Sequence, residues 1–206
     1  MPSPSYSRFI ESMNIGYEQW HDGIGYDVEA LPELVENERS LVEEALLRHL
    51  ADHPDWRDVE ALQALGTPEA LEAVRAALNH WDPKVRAAAI RESLSAGQEG
   101  SAAIDESIED SLVRSLQQAH SLSEFSPALD LAERHPTARV KKALLECARL
   151  GDADIRVNAA AMLMFVCGLA KEPFDWEQRP FLLQFRTDKT AELRVCWEEL
   201  RKRAGL

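Results

Sequence analysis

The stretch Asp82-Pro-Lys-Val-Arg-Ala-Ala-Ala-Ile90 recurs, in its order of residue types, as Asp152-Ala-Asp-Ile-Arg-Val-Asn-Ala-Ala160. Each copy starts with an acidic residue, continues with a β-branched residue and an Arg, and ends with small residues. A weaker third copy is Thr190-Ala-Glu-Leu-Arg-Val-Cys-Trp197. The Arg positions lie 70 and then 38 residues apart, which indicates a repeat of about 35 to 40 residues with a degenerate copy between the first two.

Each copy predicts the second helix of a helical hairpin. Asp82 and Asp152 can accept hydrogen bonds from the first backbone N–H groups of a helix. Val85 and Ile155 should then point inward, and the small residues that follow let neighbouring helices approach closely. The Arg of each copy is expected to be structural and to pair with an acidic group of an adjacent repeat.

Helical patterns continue outside these copies. Thr67–Leu78 begins with a capping residue, an early Pro and an early Glu, and its apolar residues follow at spacings of three and four. Residues 40–50 and 138–150 have the same amphipathic period. Only nine Gly and ten Pro occur among 206 residues, a composition that favours helices. The sequence therefore predicts an all-α protein.

The acidic, branched, Arg and small pattern resembles the hallmark of HEAT repeats. The resemblance spans residues 37–206, although the copy at 105–135 has lost the hallmark and the last copy is partial. It implies a right-handed α-solenoid of about four to five HEAT-like hairpins with non-repeat elements at both ends. Residues 1–36 are then expected to form a capping segment, and residues 37–206 the repeat array of a single structural domain.

Two non-repeat segments extend the resemblance. Phe9-Ile-Glu-Ser-Met-Asn-Ile-Gly-Tyr-Glu-Gln-Trp-His-Asp-Gly-Ile-Gly-Tyr-Asp27 and Ala170-Lys-Glu-Pro-Phe-Asp-Trp-Glu-Gln-Arg-Pro-Phe181 are similar to signature stretches of a bacterial family of small HEAT-repeat proteins. Proteins of this general build occur among bacterial immunity proteins that neutralise toxins of polymorphic and type VI secretion systems. The resemblance thus implies a binding function and names no activity.

The negative charge is concentrated near the amino terminus. Residues 1–60 hold 14 Asp and Glu against 4 Arg and no Lys, a net charge of −10 out of −13 for the chain. Such a field repels nucleic acid and anionic membranes and steers basic protein surfaces into contact. It predicts a basic protein as the partner, for example a cognate toxin. A second interpretation is that the charge only keeps the protein in solution.

Trp20-His21-Asp22-Gly-Ile-Gly-Tyr26-Asp27 is the chemically densest stretch outside the repeats. Its aromatic and charged side chains are typical of interface anchors, so Trp20, His21, Asp22, Tyr26 and Asp27 are predicted to bind the partner. The alternative is that Trp20 and Tyr26 only cover the first apolar face of the array.

The segment at 172–181 interrupts the repeats with two prolines and three aromatic residues. Trp176 and Arg179 are predicted to bind the partner from this projecting element. The alternative is that Phe174, Trp176 and Phe181 fold back between the last two hairpins.

Catalytic, metal and cofactor sites are not predicted. His21 could act as a general base oriented by Asp22 or Asp27, but neither a nucleophile nor an oxyanion motif follows. His49 and His53 have the i, i+4 spacing of metal ligands, yet Pro54 places them in a last helical turn.

The three cysteines are expected to be small core residues. The sequence has no apolar run of membrane-spanning length, and its amino-terminal residues lack the pattern of a signal peptide. A cytoplasmic protein without a membrane partner is therefore expected.

Two main functions follow from these features. The first is a non-catalytic protein-binding HEAT-repeat module, an immunity, inhibitor or adaptor protein that occludes a basic partner. The second is a HEAT-like enzyme of the DNA-glycosylase kind that acts on nucleic acid or nucleobases. Because no basic stripe is visible in the sequence, nucleic acid is the less favoured partner. An accessory lyase-like protein for a pigment is a weaker third interpretation.

Overall fold

The structure, a computed structural model, describes residues 2–97 and 106–206. Within these residues every regular element is a helix and none is a β-strand, which confirms the all-α prediction. The chain divides into two compact units, Met1–Ala102 and Ala103–Leu206. None of the described helices combines the length and apolarity that a membrane crossing requires.

The first unit holds two helical hairpins behind a short amino-terminal region. Its helices are α1 (Pro4–Ser12), α2 (Tyr17–His21), a 3-10 helix (Val28–Glu33), α3 (Glu36–Asp52), α4 (Trp56–Leu65), α5 (Pro68–Ala77) and α6 (Pro83–Gly97). The amino-terminal region consists of α1, α2 and the 3-10 helix. The two hairpins are α3/α4 and α5/α6. Because α3 packs against α5 and α4 against α6, the two hairpins stack on each other.

The second unit repeats this arrangement. Its hairpins are α7/α8 and α9/α10, in which α7 packs against α9 and α8 against α10. The bounds are α7 (Glu106–Gln118), α8 (Leu122–Arg134), α9 (Ala138–Leu150), α10 (Ala153–Val166), α11 (Arg179–Leu182), a second 3-10 helix (Leu183–Arg186) and α12 (Thr190–Ala204). Stacked hairpins within each unit agree with the predicted repeats. The continuous right-handed solenoid and the domain boundary at 36/37 stay predictions.

The repeat copies have the predicted caps and core residues. Asp82 accepts hydrogen bonds from the N–H groups of the first turn of α6, and Asp152 does the same for α10. Val85 is fully buried and Ile155 nearly so. The alanines that follow them are buried as well, so the pattern of small residues lies at helix–helix contacts as expected.

Arg156 is structural, and it combines the expected acidic partner, Asp188, with backbone acceptors that were not predicted. Its guanidinium donates to the backbone carbonyls of Gly151, Phe185 and Thr187 at 2.8 to 3.1 Å. The guanidinium also forms an ion pair with Asp188 at 3.7 Å, and because the Asp188 side chain is almost fully exposed, this pair is weak. Backbone carbonyls in a partly buried loop gain more from the guanidinium, because they have fewer alternative donors.

The amino-terminal residues are attached to the first hairpin through Glu38. Ser3 donates from its backbone N–H and from its hydroxyl to the two carboxylate oxygens of Glu38, each at 2.7 Å. Ser3 also caps α1 by accepting from the N–H of Tyr6. Phe9, on α1, is fully buried. These contacts hold α1 on the first unit.

Glu38 makes this attachment dependent on pH. The hydrogen bonds from Ser3 lower the pKa of Glu38 below its usual value of 4.5, so the ionised form stabilises the folded state. That contribution is present above the ordinary pKa and is lost as the pH falls through the lowered one. We expect the melting temperature of the wild type to exceed that of Glu38→Gln near neutral pH, and the difference to shrink below pH 4.5. A difference that stays constant across this range in thermal melts would contradict the assignment.

Two of the three cysteines are core residues, as the sequence predicts. Cys147 and Cys196 are buried, and Cys167 is half-buried. Burial raises the pKa of Cys147 to about 12, so its thiol stays protonated at neutral pH and unreactive.

Candidate functional site

The predicted stretch at 20–27 divides into an exposed part and a buried part. Trp20 is 58% exposed, and His21 and Asp22 lie on the surface with His21 Nδ1 3.0 Å from Asp22 Oδ1. Tyr26, in contrast, is only 7% exposed and packs edge-on against Phe9. The ring of Tyr26 thus has the covering role of the alternative interpretation, whereas Trp20, His21 and Asp22 are accessible to a partner.

Asp27 connects this stretch to α1. Its carboxylate accepts from the Arg8 guanidinium at 2.7 Å, and its backbone N–H donates to the hydroxyl of Ser12 at 2.9 Å. Asp27 is partly exposed, and both contacts are with α1. Its observed interactions position the loop.

A polar network lies beneath this loop and centres on Asp58, which has no solvent exposure. Asp58 accepts a hydrogen bond from the Tyr26 hydroxyl at 3.2 Å and one from the Asp55 N–H at 3.1 Å. His49 Nδ1 lies 2.9 Å from its second oxygen. Burial raises the pKa of Asp58, and the contact with His49 partly opposes that shift. Burial is the largest cause that raises the pKa of Tyr26, and the neighbouring carboxylates raise it further. Its phenol therefore stays neutral.

Arg57 is the other buried charge of this region, with only 1% exposure. Its Nε donates to the carbonyl of Ile24 at 2.6 Å, and its terminal nitrogen contacts both oxygens of Asp55 at 3.0 and 3.1 Å. Its guanidinium lies over the Trp56 ring, 4.5 Å from the centroid. Arg57 therefore ties the loop that carries Tyr26 to the start of α4.

Local sequence explains why the network forms at this point. Asp55 and Asp58 make a capping box at the start of α4, in which each carboxylate accepts from a backbone N–H near the other. His49 lies in the last turn of α3, where an imidazole suits the carbonyl end of a helix. The short connection between α3 and α4 brings these two helix ends together, so His49 meets Asp58.

A pocket of about 400 Å³ opens beside the network. We call it the aromatic–acidic pocket. Aromatic rings line its rim, and polar groups of the network line its base. Its lining residues are Met13, Ile15, Gly16, Tyr17, Trp20, Tyr26, His49 and Asp55.

His49 and Asp58 have the relative geometry of a general base and the carboxylate that orients it. His49 Nδ1 faces the Asp58 carboxylate, an arrangement that orients an imidazole for proton transfer through Nε2. Among the described residues that line the pocket, none is a Ser, Thr, Cys or Lys that could act as a nucleophile.

Metal ligation is not indicated in the parts of the chain that the structure describes. No group of three or more His, Cys, Asp or Glu is arranged there to hold an ion. His49 and His53, the i, i+4 pair, have ring centroids 6.2 Å apart. The Nδ1 atom of His49 already contacts the Asp58 carboxylate.

Trp176 and Arg179 belong to the second unit. Trp176 is 72% exposed, and the Arg179 guanidinium lies 4.4 Å from the centroid of its ring. Phe181 instead packs edge-on against Phe185, which is fully buried. The segment thus combines the two interpretations, because its end joins the core while Trp176 and Arg179 form an exposed stacked pair.

Sequence reasoning missed Tyr17, His49 and Asp55 as pocket residues. The capping box at Asp55 and Asp58 was readable from the sequence, and it could have marked this helix end as polar. Tyr17 had no signal beyond its aromatic type.

Comparison of the chain with protein-family models, with curated proteins and with solved structures gave no match.

Proposed function

We propose that this chain is a non-catalytic protein-binding module that binds a basic partner protein through its first unit. In this proposal its hairpins form a HEAT-like solenoid, and the protein acts as an immunity, inhibitor or adaptor protein in the cytoplasm. The cognate toxin of an immunity pair is one partner of the required chemistry. The observation that carries the proposal is the aromatic–acidic pocket with its exposed rim.

The rim consists of aromatic side chains that are exposed to water in the free protein. Tyr17 is 77% exposed and Trp20 58% exposed, and their ring centroids lie 6.3 Å apart. Adjacent exposed aromatic rings are typical of interaction surfaces, and Trp and Tyr are the residues most enriched among binding hot spots. The rim therefore provides an anchor for a partner.

Charge supports the choice of a basic partner. Residues 1–102 hold 19 Asp and Glu and 8 Lys and Arg, a net charge of −11, whereas residues 103–206 hold 17 and 15, a net charge of −2. The negative field thus belongs to the unit that carries the pocket. It accelerates encounters with a positive surface and disfavours nucleic acid.

Trp20→Ala is expected to weaken the complex with the native partner about tenfold or more, because a hot-spot Trp contributes at least about 1.4 kcal/mol to binding. The partner is obtained by affinity capture from the native organism and identified by mass spectrometry. Its binding is then measured by titration calorimetry.

Trp81→Ala is the matched control, since Trp81 is a 76% exposed Trp of the same unit outside the pocket. Its binding should equal that of the wild type. If the two variants bind the partner alike, or if no protein is captured, the proposal is wrong.

A groove on the second unit supports the nucleic-acid alternative. It has a volume of about 710 Å³ and includes Arg194 and Lys202 in its lining. Two further cations there, Arg201 and Arg203, already pair with glutamates of α12, which reduces the free positive charge. Tight, salt-sensitive DNA binding in a gel-shift titration would favour this alternative.

A further inference from the structure

We infer that the aromatic–acidic pocket receives the guanidinium group of an arginine side chain. This inference rests on the proposed protein-binding function and specifies which group of the basic partner the pocket recognises. It follows from the aromatic rim of the pocket, the partly exposed carboxylate of Asp55 in its lining and the negative net charge of the unit that carries it.

The rim offers two rings to a flat cation. Tyr17 and Trp20 are tilted by 31° with centroids 6.3 Å apart, so the two rings are neighbours on the rim. A cation over a Trp or Tyr face is attracted by the quadrupole of the ring. The chain uses this contact elsewhere, since Arg179 lies 4.4 Å from the Trp176 ring centroid and Arg203 4.2 Å from that of Phe181.

The lining offers a carboxylate, that of Asp55, and the acidic groups at this point are already partnered. Arg57 pairs with Asp55, and His49 contacts the buried Asp58. Asp55 lines the pocket and is partly exposed, so part of its charge is available to a ligand. Tyr26, also in the lining, stays neutral and offers a third ring.

The net charge of the first unit, −11, draws a cation toward this rim. Guanidinium is planar, stacks on aromatic faces and is less strongly hydrated than ammonium. An open rim of this kind therefore favours arginine over lysine.

Three blocked tripeptides, Gly-Arg-Gly, Gly-Lys-Gly and Gly-citrulline-Gly, test the inference with the full chain. The measurement is the NMR shift of the Trp20 indole N–H, which is identified by its loss in Trp20→Ala. We expect the lysine peptide to bind about twofold to fivefold more weakly than the arginine peptide, and the neutral citrulline peptide at least about fivefold more weakly. Salt should weaken the binding of both cationic peptides and leave that of the neutral citrulline peptide nearly unchanged.

Variants separate the rim from the rest of the surface. Tyr17→Ala should weaken binding of the arginine peptide about threefold to fivefold, while Trp81→Ala should leave it unchanged. Both positions are exposed, so neither variant should disturb folding. Equal affinity for arginine and citrulline, the same affinity in Tyr17→Ala as in the wild type, or no shift of the Trp20 signal at about 10 mM peptide overturns the inference.

The two proposals fail in different ways. If the peptides give no arginine preference but Trp20→Ala still disrupts the partner complex, protein binding stands and arginine recognition is wrong. If arginine binds at the rim but the partner complex is indifferent to Trp20, the pocket is a site for arginine and the proposed interface is wrong.

Discussion

Val85→Asp and Ile155→Asp are each expected to lower the free energy of unfolding by about 4 kcal/mol or more. Val85 is fully buried on α6, and Ile155 is 3% exposed on α10. A carboxylate at either position loses its water without gaining a partner, and the branched side chain that fills the space between helices is removed. Because whole domains are stable by only about 5 to 15 kcal/mol, either change removes much of the available stability. Urea denaturation followed by circular dichroism measures the loss.

Val195→Asp provides the control for this prediction. Val195 lies on α12 and is 68% exposed, so the same chemical change there should alter the free energy of unfolding by less than about 1 kcal/mol. If all three variants lose stability equally, the buried positions are not the core of the hairpins. Equal stability of all three would contradict their burial directly.

Arg57→Ala is expected to lower the free energy of unfolding by about 3 to 4 kcal/mol. Removal of the guanidinium leaves the Ile24 carbonyl without its donor and the Asp55 carboxylate without its ion pair, and it opens a cavity beside Trp56. The loss of the Ile24 contact also frees the loop that carries Tyr26. We therefore expect faster hydrogen exchange at residues 22–27 than in the wild type.

Arg75→Ala is the matched control, since Arg75 is largely exposed and pairs only with Glu72 on the same helix among its described contacts. An exposed pair of this spacing contributes about 0.3 to 0.5 kcal/mol. If Arg57→Ala unfolds no more easily than Arg75→Ala, or if exchange at 22–27 is unchanged, Arg57 does not hold the loop.

The helices were predictable because the signals that define them are local. A cap and its first-turn N–H groups lie within three residues of each other, as at Asp82 and Asp152, and an apolar face repeats every three or four residues. Burial of Val85 and Ile155 followed from the same period. An acidic partner of Arg156 was predicted and is Asp188. Two of its three carbonyl acceptors could not be predicted, because they lie 29 and 31 residues further on.

The pocket required contacts that no local pattern encodes. Tyr26 and Asp58 are 32 residues apart, and His49 reaches Asp58 across a helix end. The sequence indicated Trp20, His21 and Asp22 as accessible groups on the basis of their types. It assigned Tyr26 to the same set, whereas burial against Phe9 placed that ring at the base of the pocket.

The sequence by itself determined the all-α class, the positions of the capped hairpin helices and the acidity of the first 60 residues. These depend on backbone propensity, side-chain period and charge, which are properties of neighbouring residues. Only the tertiary structure decided which exposed aromatic rings share a rim and which charges are buried beneath it. Those choices depend on the packing of α1 and the 3-10 helix onto α3 and α4. A polar group buried there without a partner costs more free energy than any single hydrogen bond gains, so the buried charges are paired.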